Sequence, residues 1–170
     1  SLRNALDRAI TEFFDDKEWL ITKRSQFAYH SLMIQRDRKG MPGPDMYFAN
    51  KLTKAERWLR LNNKLVTHGK LLSEMTFGFW LKFFDTNSIK MLHAAPLNAL
   101  INKPAKSVNG IQQHFRCIHS LRNRIAHHEP ICFNKAGKIC LETLANNENI
   151  IIKGLGGLDA DIKLWTDKPK

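Results

Sequence analysis

VNGIQQHFRCIHSLRNRIAHH, residues 108–128, is the stretch on which the reading of this chain turns. At about 100° per residue it divides into two helical faces. Val108, Ile111, Phe115, Ile118, Leu121 and Ile125 form a continuous apolar stripe, the mark of a helix docked on a core. Gln112, Arg116, His119, Ser120, Asn123 and His127 recur at spacings of three and four along a second, polar stripe. Asn123 and His127 stand one turn apart and can grip one substrate group together. Arg122 sits at the border of the apolar stripe, about 140° from His127 on the wheel. Its long arm still reaches the same pocket. Arg124 and His128 point to the other side.

A helix with such a stripe needs other helices to cover it, and the rest of the chain supplies candidates. Leu2, Leu6, Ile10 and Phe13 predict a helix over 2–18, with Trp19, Leu20 and Ile21 continuing or closing its apolar face. A second helix is expected over 23–36, with Phe27, Ala28, Ser31, Leu32 and Ile34 packing inward. Gly40-Met41-Pro42-Gly43-Pro44 ends any helix and marks an exposed loop. Residues 45–62 predict a further helix whose apolar side is Tyr47, Phe48, Leu52, Ala55, Trp58 and Leu59. Its other side carries Lys51, Lys54, Arg57 and Arg60, which reads first as a solvated face and second as a surface for RNA.

Residues 66–84 are the most hydrophobic part, expected as a helix buried on most sides. Its aromatics read as core rather than as a base-stacking platform. Residues 87–103 are irregular, with short helical turns around 91–92 and 97–101. Past Pro130 the motif helix stops, and 131–133 with 139–141 predict a small β-hairpin. Gly154, Gly156 and Gly157 mark a break, with a short helix over 158–165 and a polar tail to Lys170. The sum is an all-α fold: one domain over 1–170, a helical bundle of four to five main helices with a small hairpin after the motif helix.

Composition bounds the partners. At 170 residues and 43% apolar the chain can bury a core, and disorder is not its default. No apolar run approaches the ~18 residues of a membrane span, and no apolar h-region follows Ser1-Leu2-Arg3-Asn4. The opening Ser1 suggests a longer chain with an N-terminal extension ahead of it. Cys117, Cys132 and Cys140 are an odd count without CxxC spacing, which fits reduced thiols and a cytoplasmic location. A net charge of +11 favours a polyanionic partner, RNA before a membrane.

The motif helix carries matching chemistry. An imidazole takes or gives a proton near neutral pH. A guanidinium holds a phosphate and offsets charge that develops during phosphoryl chemistry. An Asn amide orients either group. Arg122, Asn123 and His127 are thus the parts needed for an RNA 2′-OH to attack its own phosphodiester, giving a 2′,3′-cyclic phosphate and a 5′-OH. No metal and no cofactor is required by that route. The stripe lacks Asp and Glu, which argues against a two-metal nuclease. His114 and His119 are five apart and His127 has no histidine at 123 or 131, so helical zinc spacing is missing.

These residues also carry a resemblance. Arg122-Asn123-Arg124-Ile125-Ala126-His127 resembles the RNxxxH motif of the HEPN superfamily. Met75-Thr76-Phe77-Gly78-Phe79-Trp80, followed by Leu121 through Ile131 and by Leu158 through Trp165, resembles the Abi-like (abortive infection) family of bacterial phage-defence proteins. The resemblance spans about 45–165, and the FGFW block with RNRIAHHEP is its specific part. It implies an α-helical bundle and a metal-independent endoribonuclease of a phage-defence or toxin system. It further implies a homodimer whose two motif helices face each other across one composite cleft. Arg122 and His127 would be catalytic and Asn123 supporting. Arg116, His119 and Ser120, with Arg124 and His128, are expected at the RNA-binding cleft or dimer interface. Some members work with an antitoxin or a non-coding RNA, so the alternative is a non-catalytic RNA- or partner-binding module. The chain is short for the family, so a region is expected to be absent.

Overall fold

A computed structural model describes residues 1–36, 39–101, 103, 105, 107–132 and 138–156. It is mostly helical. The chain divides into two compact units, Ser1–Ala99 and a second beginning at Leu100.

In the first unit, α1 (Leu2–Phe14) buries Leu2, Leu6, Ala9 and Ile10. It ends earlier than its pattern predicts, because Asp15 turns left-handed at φ 48°. The Asp16 N–H then bonds the Thr11 carbonyl at 3.2 Å, closing the last turn. The Asp16 carboxylate accepts from the Glu18 N–H at 2.8 Å and from the Thr22 hydroxyl, and so opens α2 (Trp19–Thr22).

The helix expected over 23–36 does not form. α3 (Gln26–Tyr29) is a single turn, followed by a 3-10 turn at Ser31–Met33 and a strand, β1 (Ile34–Arg36). His30 is extended (ψ 139°), and its ring Nδ1 accepts from the Leu32 N–H at 3.2 Å, which ends the helical run. Phe27, Ala28 and Met33 are buried, whereas Ser31, Leu32 and Ile34 are exposed. The Gly-Pro stretch is also more than a loop: β2 (Pro42–Pro44) pairs antiparallel with β1, Ile34 opposite Pro44 and Arg36 opposite Pro42. Prolines are admissible there because a two-stranded sheet is all edge. Gly40, at φ 79°, makes the reversal, and its carbonyl accepts from Arg36 Nη1 at 2.8 Å.

α4 (Tyr47–Leu61) forms as expected, with Phe48, Ala49, Leu52, Ala55 and Leu59 buried and Lys51, Lys54, Arg57 and Arg60 exposed. The hydrophobic stretch that follows is broken into α5 (His68–Glu74), α6 (Phe77–Leu81) and a 3-10 turn at Lys82–Phe84. Met75 and Thr76 are extended between them, so the chain turns there, with Met75 buried and Thr76 exposed, instead of crossing the core as one rod. α7 (Thr86–Met91) and a 3-10 turn at Ala95–Ala99 complete the unit, and that turn packs on α1.

The core of this unit is aromatic. Trp19, Phe27, Phe48, Phe79, Trp80 and Phe83 are each no more than 2% exposed. Phe48 and Phe83 stand 4.6 Å apart, Phe27 and Phe48 5.1 Å, and Trp19 and Phe83 5.7 Å between ring centroids. The first two pairs are tilted and the third is edge-to-face; aromatic pairs stabilise by ~0.5–1.5 kcal/mol each beyond the area they bury. A buried carboxylate ties the edge of the cluster: Asp45 accepts from the Tyr47 N–H at 2.9 Å and from Gln35 Nε2 at 2.6 Å, with the Lys82 ammonium at 3.4 Å.

In the second unit, α8 (Val108–Ala126) packs on α9 (Leu141–Gly156). α9 runs through Gly154 to Gly156, where a break was expected, and Leu141 opens it rather than closing a strand. The predicted hairpin reduces to a bridge at Ile139 and a bond from the Cys140 N–H to the Cys132 carbonyl at 2.7 Å. Residues 133–137 and the expected helix at 158–165 lie outside the described residues. Among the described residues no helix is long and apolar enough to cross a membrane.

Candidate functional site

α8 starts at a defined point. Ser107 is its N-cap, and the Ser107 hydroxyl accepts from the Gly110 N–H at 3.1 Å. Gly110 is sterically required: a Cβ there would stand 2.7 Å from the Ala105 Cβ and 3.2 Å from the Ser107 hydroxyl oxygen.

The apolar stripe is buried at Ile111, Phe115 and Leu121 and half-buried at Val108 and Ile118. It does not stay covered to the end, because Ile125 is 49% exposed. On the polar stripe Gln112 is buried, so the open face begins lower down the helix than expected. Arg116 and Ser120 are exposed and His119 is half-buried. His114 is half-buried, and burial first, with Lys153 of α9 second, pushes its imidazole below the usual value. The result favours a neutral His114 ring beside the Ile150 backbone.

The end of α8 is a Schellman turn without glycine. His127 is the C-cap, with its N–H on the Asn123 carbonyl at 2.9 Å. His128 follows in the left-handed conformation at φ 57°. Its N–H bonds the Ile125 carbonyl at 3.1 Å, and the Glu129 N–H bonds the Arg124 carbonyl at 2.8 Å. The contact that usually closes this motif is apolar. Here it is an ion pair, Arg124 Nε to a Glu129 carboxylate oxygen at 3.7 Å, and an Arg124 Nη also donates to the Pro130 carbonyl. Arg124 therefore holds the turn, and His128 supplies its left-handed residue.

That leaves Arg122, Asn123 and His127. Arg122 and His127 are exposed and Asn123 is half-buried. None of the three side chains has a hydrogen bond or ion pair with another described residue. Asn123 and His127 lie one turn apart, joined by the backbone bond from the His127 N–H to the Asn123 carbonyl, and the capped turn fixes the backbone from which His127 projects. Two free cationic or imidazole groups and an amide, on a rigid helix end beside an exposed Ile125, can receive a phosphodiester or a second protein surface.

A different imidazole is held through one of its two ring nitrogens, while its buried Nδ1 has no hydrogen-bond partner among the described residues. His68, at the first turn of α5, is buried with its Nε2 on Asp7 Oδ1 at 2.8 Å. The same oxygen accepts from Trp19 Nε1 at 2.9 Å. Sequence reading missed this cluster, since Asp7 and His68 are 61 positions apart and share no motif spacing. Among the described residues no group of three or more His, Cys, Asp or Glu side chains is placed to hold a metal ion. Compared with known proteins, the chain matches no family model, no curated protein and no solved structure.

Proposed function

We propose that the chain is a metal-independent endoribonuclease of the HEPN type, of the Abi-like phage-defence or toxin class, with Arg122, Asn123 and His127 as its active site. One observation carries this reading: among the described residues these three side chains have no hydrogen-bond or ion-pair partner, and they stand at a helix end whose turn is closed by the Arg124–Glu129 pair. A purely structural Arg-Asn-His set would be expected to bond to its own fold, as Asp7 and His68 do.

The chemistry follows from those groups. His127 takes the proton of an RNA 2′-OH as its oxygen bonds to the adjacent phosphorus. Arg122 offsets the extra negative charge on the phosphoryl oxygens. The P–O5′ bond breaks, the 5′ oxygen takes up a proton, and the products are a 2′,3′-cyclic phosphate and a 5′-OH. In a homodimer the second His127 supplies that proton. Exposed Ile125 beside the site supports such a pairing, since it offers an apolar contact to its own copy. On this reading Arg116, His119 and Ser120 line the cleft or the dimer interface, and Arg124 and His128 shape it.

The exposed basic face of α4 favours a second reading, in which the chain binds RNA or a partner without turnover. A gel of labelled RNA, scored for both shift and cleavage, separates the two. The ribonuclease reading expects cleavage that EDTA leaves unchanged, products ending in a cyclic phosphate, and loss of both in Arg122→Ala. A shift without cleavage would favour the binding module, and cleavage stopped by EDTA would remove the mechanism.

A further inference from the structure

We infer that the first unit carries a second site, for single-stranded nucleic acid, in which one base enters the cavity between α4 and the Met75–Thr76 turn while flanking phosphates pair with Lys51 and Lys54. The cavity measures about 210 Å³ and is lined by Lys51, Lys54, Trp58, Glu74 and Thr76 over a floor that includes Phe79. It is smaller than the ~300–1,000 Å³ of whole-ligand pockets and suits a single planar ring.

The lining has the two components that single-strand binding uses, a cationic track and an aromatic platform. Lys51 and Lys54 are exposed and form no ion pair among the described residues. Trp58 is 43% exposed, unusual for a tryptophan beside the buried Ala55 and Leu59. Its ring is held by Lys64, whose ammonium lies 4.3 Å from the ring centroid and adds a third cation. Glu74 decides what enters. A carboxylate in the wall opposes a bare phosphate inside the cavity but accepts from the exocyclic amine of a base. The phosphates, outside the cavity, are then left to the exposed Lys51 and Lys54 ammoniums. The buried Phe79 closes the floor with an apolar surface, which also suits a ring rather than a phosphate.

This site does not depend on the ribonuclease reading, and its test avoids cleavage. The full chain carrying His127→Ala is titrated into a fluorescein-labelled 12-nucleotide single-stranded RNA, and anisotropy is followed across a salt series. The same titration is run with the RNA as a duplex, with inorganic polyphosphate as competitor, and with polyglutamate as competitor. Expected are preference for the single strand, weak competition by both polyanions, and a loss of about 10-fold or more in affinity with Trp58→Ala. Trp58→Phe retains most of the affinity. Lys51→Ala and Lys54→Ala each lower the slope of log K against log salt by roughly 0.7. Unchanged affinity in Trp58→Ala, or polyphosphate or polyglutamate competing as well as unlabelled RNA, would overturn the site. Failure of RNA cleavage by the unsubstituted chain, with this binding intact, would count against the ribonuclease reading alone.

Discussion

His68 and His127 are the same side chain placed under opposite conditions. His68 is 9% exposed, shares Asp7 with Trp19, and lies edge-on to Trp19 with ring centroids 5.8 Å apart. His127 is exposed at the end of α8, with no described partner. An Asp–His pair has the look of a catalytic dyad, yet here it joins α1, α2 and α5, with the Trp19 indole as the third member. The histidine that looks idle is the one to which the proposed function assigns the proton transfer. Partner and burial, more than residue type, separate the imidazole that holds the fold from the imidazole that can act.

That contrast can be broken from the structural side first. Asp7→Ala removes the acceptor for two buried donors, Trp19 Nε1 and His68 Nε2. Each unsatisfied buried group costs about 1–3 kcal/mol, so thermal unfolding should fall by several degrees or more. A melting temperature unchanged from wild type would show that the pair is not structural. Gly110→Ala comes next. Its Cβ would meet the Ala105 Cβ at 2.7 Å, and the local shift should cost about 1–3 kcal/mol and loosen the start of α8.

Smaller effects belong to the end of α8. His128 holds a left-handed backbone at φ 57° that glycine adopts without strain. His128→Gly should raise stability by about 0.5–1 kcal/mol in chemical denaturation, and cleavage should survive it. A fall in stability would mean that the imidazole makes a contact stronger than the strain it imposes. The smallest stability effect is expected at Arg122→Ala, within about 0.5 kcal/mol of wild type, because no described group loses a partner.

An acid titration adds a second contrast. Arg60 first, then Arg24, holds the Glu56 carboxyl below its usual range through hydrogen bonds. Its contribution is present above the unfolded carboxylate range and is lost as pH falls through the lower folded value. Below the ordinary glutamate range, Glu56→Gln should therefore converge on wild type in thermal stability, while at neutral pH it should be the weaker protein.

The His68 side of this contrast was hidden from residue order, but two of the longer helices were legible in it. α4 and α8 each keep one apolar face over four or more turns, and both formed within a residue or two of expectation. The break-up of 66–84 was not legible, since an apolar run reports burial but not direction. Only packing tells Met75 and Thr76 to be extended. The hairpin at 34–44 was hidden because Pro and Gly read as loop unless a partner strand is known. At the proposed site, Arg122, Asn123 and His127 were singled out by spacing and by the motif they resemble. The spacing did not reveal that Arg124 is committed to Glu129, or that Ile125 emerges from the core. Both follow from where the helix ends, and that is set by the left-handed His128, a conformation that histidine does not announce.

The most direct measurement is the RNA cleavage rate of His127→Ala set against wild type, with thermal unfolding followed on the same samples. A catalytic His127 predicts a rate lower by about 100-fold or more and a melting temperature within about 2 °C of wild type. Cleavage at the wild-type rate by the folded variant would contradict the assignment of the active site to the end of α8.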